Sequence, residues 1–243
     1  MSEHLNAVGQ PVGEPVPDWT PRPAPARVCL EGVRCRLEPL DALRHADDLF
    51  ASYATAPDGR DWTYLPTERF DRAEDYREWA LGAAAGDDPL HYAVIDRSTG
   101  RAVGTLSLMR QNPADGVIEV GYVVFSPLMQ GTPLSTEAQY LLMSYAFDEL
   151  GYRRYEWKCD DRNEPSRRAA ERLGFTFEGI FRQALVYKGR NRDTAWFSVL
   201  TGTGRCCARR SRRGWRRTTS TPTAASSARC PRCARRCGTE TVR

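Results

Sequence analysis

The sequence predicts one mixed α/β domain over residues 34–200, and three observations carry that prediction. Segments rich in Val, Ile, Tyr and Phe, bounded by Gly, Pro, Asn and Asp, alternate with segments whose apolar residues recur at helical spacing. The helical segments bring their own start and stop residues, such as Asn163 and Gly174 at the two ends of one of them. The 243 residues are 41% hydrophobic and 27% charged, the balance of a globular domain with a packed core. No apolar run approaches the roughly 20 residues that cross a bilayer. The N-terminal stretch has neither a basic leader nor an apolar segment. A membrane span, a collagen-like chain and a secreted disulfide mini-protein are thereby excluded, and a cytoplasmic protein is expected.

Residues 1–33 carry Pro11, Pro15, Pro17, Pro21, Pro23 and Pro25, a composition that favours an extended arm over a packed element. A short strand is expected over 34–39. Asp41 can then cap a helix whose Leu43, Ala46, Leu49, Phe50 and Tyr53 follow at helical spacing. A second helix is expected over 71–84, with Tyr76, Trp79 and Ala80 on one side. Three strands follow at 91–96, 102–110 and 117–125, separated by Ser98-Thr99-Gly100 and Asn112-Pro113-Ala114-Asp115-Gly116. The clearest helical pattern runs through Ala138, Leu141, Leu142, Tyr145 and Ala146 and is stopped by Gly151. A strand over 152–158, a helix over 163–173 and a closing hairpin over 175–186 and 194–200 complete the domain. No internal repeat is present.

The net charge of +4 conceals a division. From Thr201 onward twelve Arg face one acidic residue, Glu240, a net +11, whereas the first 200 residues hold 30 acidic and 23 basic side chains, a net −7. Five of the eight Cys also fall in 201–243, and only two residues of the chain, Lys158 and Lys188, are lysine. GC-rich coding DNA produces such a bias towards Arg.

Between the strand at 117–125 and the long helix the chain reads Phe125-Ser126-Pro127-Leu128-Met129-Gln130-Gly131-Thr132-Pro133-Leu134-Ser135-Thr136-Glu137. Thr132 suits an N-cap and Pro133 the first helical position. The free amides and positive dipole end of such a first turn suit a phosphate anion; the segment is equally a well-capped helix after a tight turn. This loop follows Ile118-Glu119-Val120-Gly121-Tyr122-Val123-Val124. Further on come Asn163-Glu164-Pro165-Ser166, then Ala170-Glu171-Arg172-Leu173-Gly174-Phe175, and then Glu178-Gly179. In these motifs and in the order of its elements, over about 34–200, the sequence resembles the GCN5-related N-acetyltransferase (GNAT) superfamily. The likeness is strongest to its branch of ribosomal-protein N-terminal acetyltransferases, the RimJ/RimL type.

The resemblance implies a mixed, mostly antiparallel central sheet flanked by helices, with strands four and five (117–125 and 152–158) splayed apart. It implies acetyl-CoA as donor, with pantetheine along Tyr122, Val123, Val124 and Phe125. The pyrophosphate would lie against Gln130, Gly131, Thr132, Ser135 and Thr136. The family loop runs Gln/Arg-x-x-Gly-x-Gly/Ala, whereas here Pro133 and Ser135 stand at the two small-residue positions, and Pro removes one amide donor.

Acyl transfer from a thioester to an amine needs a proton acceptor for the amine, a donor for the carbonyl oxygen and a proton for the departing thiolate. Glu119 is the candidate base, acting through water, or else a cross-strand charge that orders the sheet. A backbone amide near Val123 or Val124 is the candidate donor. Many family members place a Tyr on the fourth helix as the acid; that position is Ala170 here, and Ser166 is the candidate replacement, or else an ordinary first-turn serine. Asn163 either contacts pantetheine or substrate or simply caps its helix. Arg167 and Arg168 either meet CoA phosphates or are solvated helix residues, and Arg168 is the one assigned to the cofactor. Trp62 and Tyr64 are the candidates for the acceptor pocket, with aromatic core packing as the alternative. The three His are scattered, Cys29, Cys35 and Cys159 have no metal spacing, and no metal is expected.

The expected function is transfer of an acetyl group from acetyl-CoA to a primary amine, on a small molecule or a protein N-terminus, in a ternary complex. No membrane partner is expected, and a homodimer is left open. The alternative is a nucleic-acid-associated basic protein with a catalytically silent fold, because the tail joins Cys230, Cys233 and Cys237 to its arginines. Adjacent Cys206 and Cys207 make a poor zinc knuckle, and a disordered basic extension binding nucleic acid only nonspecifically fits the composition better. A frameshift explains that tail: with GC-leaning codons, residues 211–224 shifted back by one base read Phe-Glu-Ala-Trp-Leu-Ala-Ala-Asp-Asn-Phe-Asp-Ala-Asp-Gly, an amphipathic helix and its cap.

Overall fold

The alternation of short β-rich and helical segments builds a single eight-stranded sheet in the computed structural model, which describes residues 4–201. A two-residue ladder joins β1 (His4–Leu5) to β2 (Pro11–Val12). The chain continues through β3 (Leu30–Glu31), β4 (Cys35–Pro39), α1 (Ala42–Tyr53), α2 (Ala73–Ala85), β5 (Leu90–Asp96), β6 (Ala102–Asn112) and β7 (Val117–Phe125). Then follow α3 (Pro133–Ser144), β8 (Arg154–Asp160), α4 (Glu164–Leu173), β9 (Thr176–Tyr187) and β10 (Arg190–Leu200). The sheet order is β3-β4-β5-β6-β7-β8-β10-β9, and every neighbouring pair is antiparallel except β7 with β8. That is the mixed, mostly antiparallel sheet flanked by helices that the sequence implied.

Alternation along each strand divides the core in two. On one face Tyr92, Leu106, Ile118, Trp157 and Phe197 meet α3 and α4 through Leu142, Ala170 and Leu173. On the other, Ala93, Ile95 and Val124 meet Leu49 and Tyr53 of α1 and Tyr76 and Ala80 of α2. Helix starts follow the sequence: the Asp41 carboxylate accepts from Leu43 N–H at 3.0 Å, and Asn163 Oδ1 accepts from Ser166 N–H at 3.2 Å.

Two expectations are corrected in part. The Pro-rich arm is largely exposed, with Leu5, Val8, Val12, Val16, Val28 and Val33 open to solvent, yet it is tied to the domain at a few points. Trp19 donates to Ala114 O at 2.7 Å, Tyr145 Oη accepts from Ala26 N–H at 2.9 Å, and Leu30 is buried in the core as β3 adds to the sheet edge. The long helix also stops at Ser144, and Tyr145–Glu149 continue as a π turn whose first residue supplies that hydroxyl. The tail beyond Thr201, with its zinc, nucleic-acid and frameshift readings, lies outside the described residues. Among the described residues no helix is long and apolar enough to cross a membrane, and no cluster of His, Cys, Asp or Glu could hold a metal ion.

One buried side chain fixes α3 to the sheet edge. The Glu137 carboxylate, on the first turns of α3, accepts from the backbone N–H groups of Val33, Arg34 and Cys35 at 2.7, 2.7 and 3.0 Å. The β3–β4 turn can approach it only through Gly32, where a Cβ would stand 2.8 Å from the Glu137 carboxyl carbon and 2.7 Å from Cys35 O. Glu137→Ala strands these amides, each costing about 1–3 kcal/mol when buried without a partner. Thermal denaturation is expected to show a fall in Tm of at least about 5 °C, at roughly 2–4 °C per kcal/mol for a domain of this size.

Candidate active site

The site begins where the only parallel pairing of the described sheet ends. β7 and β8 pair from Val117↔Arg154 to Val120↔Trp157 and no further, although β7 continues to Phe125 and β8 to Asp160. A bulge on β7 turns it away at this point. The β6 register runs from Ser107↔Gly121 to Thr105↔Val124, so Tyr122 and Val123 together face the single residue Leu106, and Tyr122 sits at φ +47°. Behind it, Gly104 lets Val124 O and Met129 Sδ approach to within 2.9 and 2.5 Å of where a Cβ would lie.

A cavity of about 560 Å³ opens through this gap. Glu119, Gly121, Tyr122 and Val123 line it from β7, and Trp157, Lys158 and Cys159 from β8. Asn163 and Ser166 of α4 close it on one side of the sheet. Tyr64 of the α1–α2 connection and Trp196 of β10 close it on the other. Tyr64 is held there by its hydroxyl, which donates to Arg162 O at 3.1 Å.

Glu119 is 5% exposed and lies between two cations. Lys158 Nζ is 2.8 Å from its Oε2, and Arg110 Nε is 3.3 Å from the same atom. Burial raises its pKa; the Lys158 charge opposes that shift without cancelling it. Lys158 is shared: its ammonium also lies 2.8 Å from Glu156 Oε2 and 3.6 Å from the centre of the Trp196 ring. Both expected roles of Glu119 are therefore present in the geometry, a cross-strand charge and a carboxylate facing the cavity. On the opposite side, the Ser166 hydroxyl accepts from the Trp157 indole at 3.0 Å and is hydrogen-bonded to the Cys159 thiol, whose pKa burial raises.

The loop after β7 keeps amides unspent. Thr132 has the extended conformation of an N-cap, yet its hydroxyl accepts from no first-turn amide of α3 and instead donates to Met129 O at 2.7 Å. Ser135 Oγ donates to Thr132 O at 2.8 Å, and Gln130 Nε2 braces the loop by donating to Phe125 O at 2.7 Å. With Pro133 at the first position, the amides of Leu134 and Ser135 have no partner within the helix. Met129, fully buried, anchors the loop from below.

The gap and the α4 start thus bring together Glu119, Tyr122, Val123, Asn163, Ser166 and Tyr64 along one cavity, whereas Phe125, Gln130, Gly131, Thr132, Ser135 and Thr136 do not line it. Several candidates lie elsewhere. Trp62 is packed edge-on against Tyr53 and Phe70 at 5.6 Å each and forms no part of the cavity wall, because the turn before Tyr64 directs it into the α1–α2 core. Val124 is buried in that core too, and its carbonyl accepts from Tyr53 Oη at 3.2 Å. Arg168 is exposed and pairs with Glu164 one turn back at 3.1 Å.

An acetyltransferase (GNAT) domain model matches residues 34–176. This chain belongs to the GNAT acetyltransferase family. A GCN5-related N-acetyltransferase from Brucella melitensis is 49% identical, with a TM-score of 0.80, over 82% of this chain and 90% of its own. From Bacillus subtilis, the protein named as a probable N-acetyltransferase, YjcK, is 30% identical over 47% of this chain and 63% of its own length. Another, named for ribosomal N-acetyltransferase activity, YdaF, is 33% identical over 42% of this chain and 55% of its own. The chain spans less than two thirds of the length of these two curated relatives.

In this GNAT domain the sequence reading missed two basic residues. Arg172 Nη1 donates to Thr136 Oγ1 at 2.9 Å, which places a guanidinium at the loop where Arg168 had been expected. Arg172 stands four residues, about one helical turn, beyond Arg168, and the i, i+4 pairing of Glu164 with Arg168 was the available signal that Arg168 was engaged. Lys158 was also missed, although a lysine in a strand of a chain so poor in lysine was visible. Lys158→Met leaves Glu119 with Arg110 and Glu156 with Arg154 as their remaining cations, so the expected loss is about 1–3 kcal/mol in urea unfolding at neutral pH, less than for a fully orphaned buried charge. The deficit shrinks as pH falls, because carboxylates deprived of that ammonium, with raised folded-state pKa values, bind protons preferentially in the folded protein.

Proposed function

We propose that this GNAT domain transfers an acetyl group from acetyl-CoA to a primary amine, directly and within a ternary complex. The observation that carries the reading is the β7–β8 gap, an unpaired stretch of strand inside a sheet with a carboxylate on one side and a hydroxyl on the other. An extended amide-bearing arm can add to the free edge of β7 as another strand would. The amides of Leu134 and Ser135, with the Arg172 guanidinium beside them, suit a diphosphate. The residues present therefore fit coenzyme A, which when bound supplies a thioester as the activated acyl group.

The chain's own groups then divide the work. Glu119, with its pKa raised by burial, accepts the proton of the incoming ammonium, through water where the two do not touch. The Val123 amide, outside the β6 register, is the donor for the carbonyl oxygen. Ser166 receives a hydrogen bond from Trp157 and so keeps its own proton to give to the departing thiolate. Tyr64 and Trp196 bound the acceptor side. A small-molecule amine and a protein N-terminus both meet these requirements.

Mass spectrometry of an amine panel incubated with acetyl-CoA tests the reading, alongside calorimetric titration with coenzyme A. No acylated amine and no heat would overturn it. Glu119→Gln is expected to lower kcat/KM by about 10²–10⁴ while leaving coenzyme A affinity unchanged. In the native chain kcat/KM falls as pH is lowered through the Glu119 pKa, above the roughly 4.3 of a free Glu, because only the carboxylate can take the proton. Arg172→Ala weakens coenzyme A binding by about tenfold, the loss of one charged contact, whereas Arg168→Ala changes it little.

A further inference from the structure

A second recess, of about 520 Å³, lies on the α2 side of the sheet and shares one wall, Tyr122, with the first cavity. Its α2 wall is a single helical stripe, Asp75, Glu78, Trp79, Gly82 and Ala83, at spacings of three and four. The floor is His91 of β5, 5% exposed, whose Nδ1 has no hydrogen-bond partner. Its ring centre is 5.9 Å from that of Trp79 and 5.2 Å from that of Tyr122, so three aromatic rings stand around one opening.

Three observations point to the sign of what it takes. No Lys or Arg lines the recess. Neither Asp75 nor Glu78 has an ion-pair or hydrogen-bond partner through its carboxylate among the described residues, although neighbouring Glu74 pairs with Arg72 and Arg77 with Asp47. His91 is neutral at pH 7, since burial lowers its pKa to about 4, and so adds no repulsion. The stripe also contains a glycine inside a helix, which costs roughly 0.5–1 kcal/mol against alanine. A Cβ at Gly82 would meet nothing within 4 Å, so no close packing requires the glycine, and its effect is to leave the recess open.

We propose that this recess is a subsite for an organic cation, the second positive charge of an acceptor whose primary amine is acylated beside Glu119. The proposal rests on the acyltransferase reading. The two carboxylates attract the charge, the Trp79 and Tyr122 faces contribute cation–π contact, and the neutral His91 ring forms the floor without opposing it. Because Tyr122 separates the two spaces, one flexible molecule can occupy both. The acceptor class is therefore an amine carrying a further ammonium or guanidinium group.

The test uses the full chain, a series of α,ω-diaminoalkanes of increasing length, and the matching monoamines. Calorimetry measures binding, and mass spectrometry with acetyl-CoA measures transfer. At least one diamine is expected to bind more tightly than its monoamine. The double variant Asp75→Asn/Glu78→Gln, and separately Gly82→Met, which fills the recess, are expected to raise the Kd of that diamine about tenfold. Monoamine and coenzyme A binding stay unchanged. Equal affinity for diamines and monoamines, or a diamine affinity indifferent to both variants, overturns the proposal. If coenzyme A fails to bind while the diamine preference and its dependence on Asp75 and Glu78 hold, the cation subsite stands and the acyltransferase reading falls.

Discussion

The structure turns on a parallel pairing that lasts four residue pairs and then fails. Parallel strands normally lie buried and continuous in the middle of a sheet. Here β7 leaves β8 after Val120↔Trp157 because a bulge at Tyr122 and Val123 redirects it, and the sheet acquires an internal edge. An unpaired edge in a protein interior is costly unless something satisfies its backbone groups. The β-hairpin of β9 and β10 carries the sheet on past the opening, so the gap is held apart on both flanks. The cavity and the buried Glu119 carboxylate are arranged around that opening.

The same division of the sheet sorts the chemistry. Alternation puts Glu119, Glu156 and Lys158 on the α1–α2 side, and Trp157 and Cys159 on the side of α4. The Glu119 carboxylate and the Ser166 hydroxyl therefore approach the gap from opposite faces. On the first face the charges form a network: one ammonium bridges two buried carboxylates that also meet Arg110 and Arg154, and the Trp196 ring lies against that ammonium. Glu119 keeps a raised pKa in that setting because desolvation outweighs the neighbouring positive charge.

Periodicity and punctuation made most of this fold legible. Asp41, Asn163 and Gly174 mark helix ends because caps are local chemistry, and the strands at 91–96 and 117–125 differ from the observed bounds by one residue at most. The points at which the exposed arm is tied down were not legible. Trp19 and Leu30 act through contacts with Ala114 and the sheet edge, far along the chain, and proline content says nothing about such contacts. Trp62 and Tyr64 look alike in sequence, two aromatics in one loop, yet a single turn sends one into the core and the other to the cavity. Arg172 was hidden for the opposite reason. The sequence shows several arginines on one helix, and only the tertiary approach of α4 to α3 selects among them.

Lysine is the rarest basic choice in this chain, two residues against 33 arginines, and both are engaged. Lys158 lies under Trp196 between two glutamates, where a compact point charge fits and a planar fork does not. Lys188, on the β9–β10 turn, donates to Trp62 O at 2.8 Å and meets Glu68 at 3.0 Å. A domain that handles activated thioesters under the proposed chemistry thus presents to them almost no lysine amine, which leaves the exposed thiol of Cys29 as the reactive side chain on its described surface. Spontaneous self-labelling, a common hazard for proteins bathed in reactive acyl donors, has few places to start on this surface.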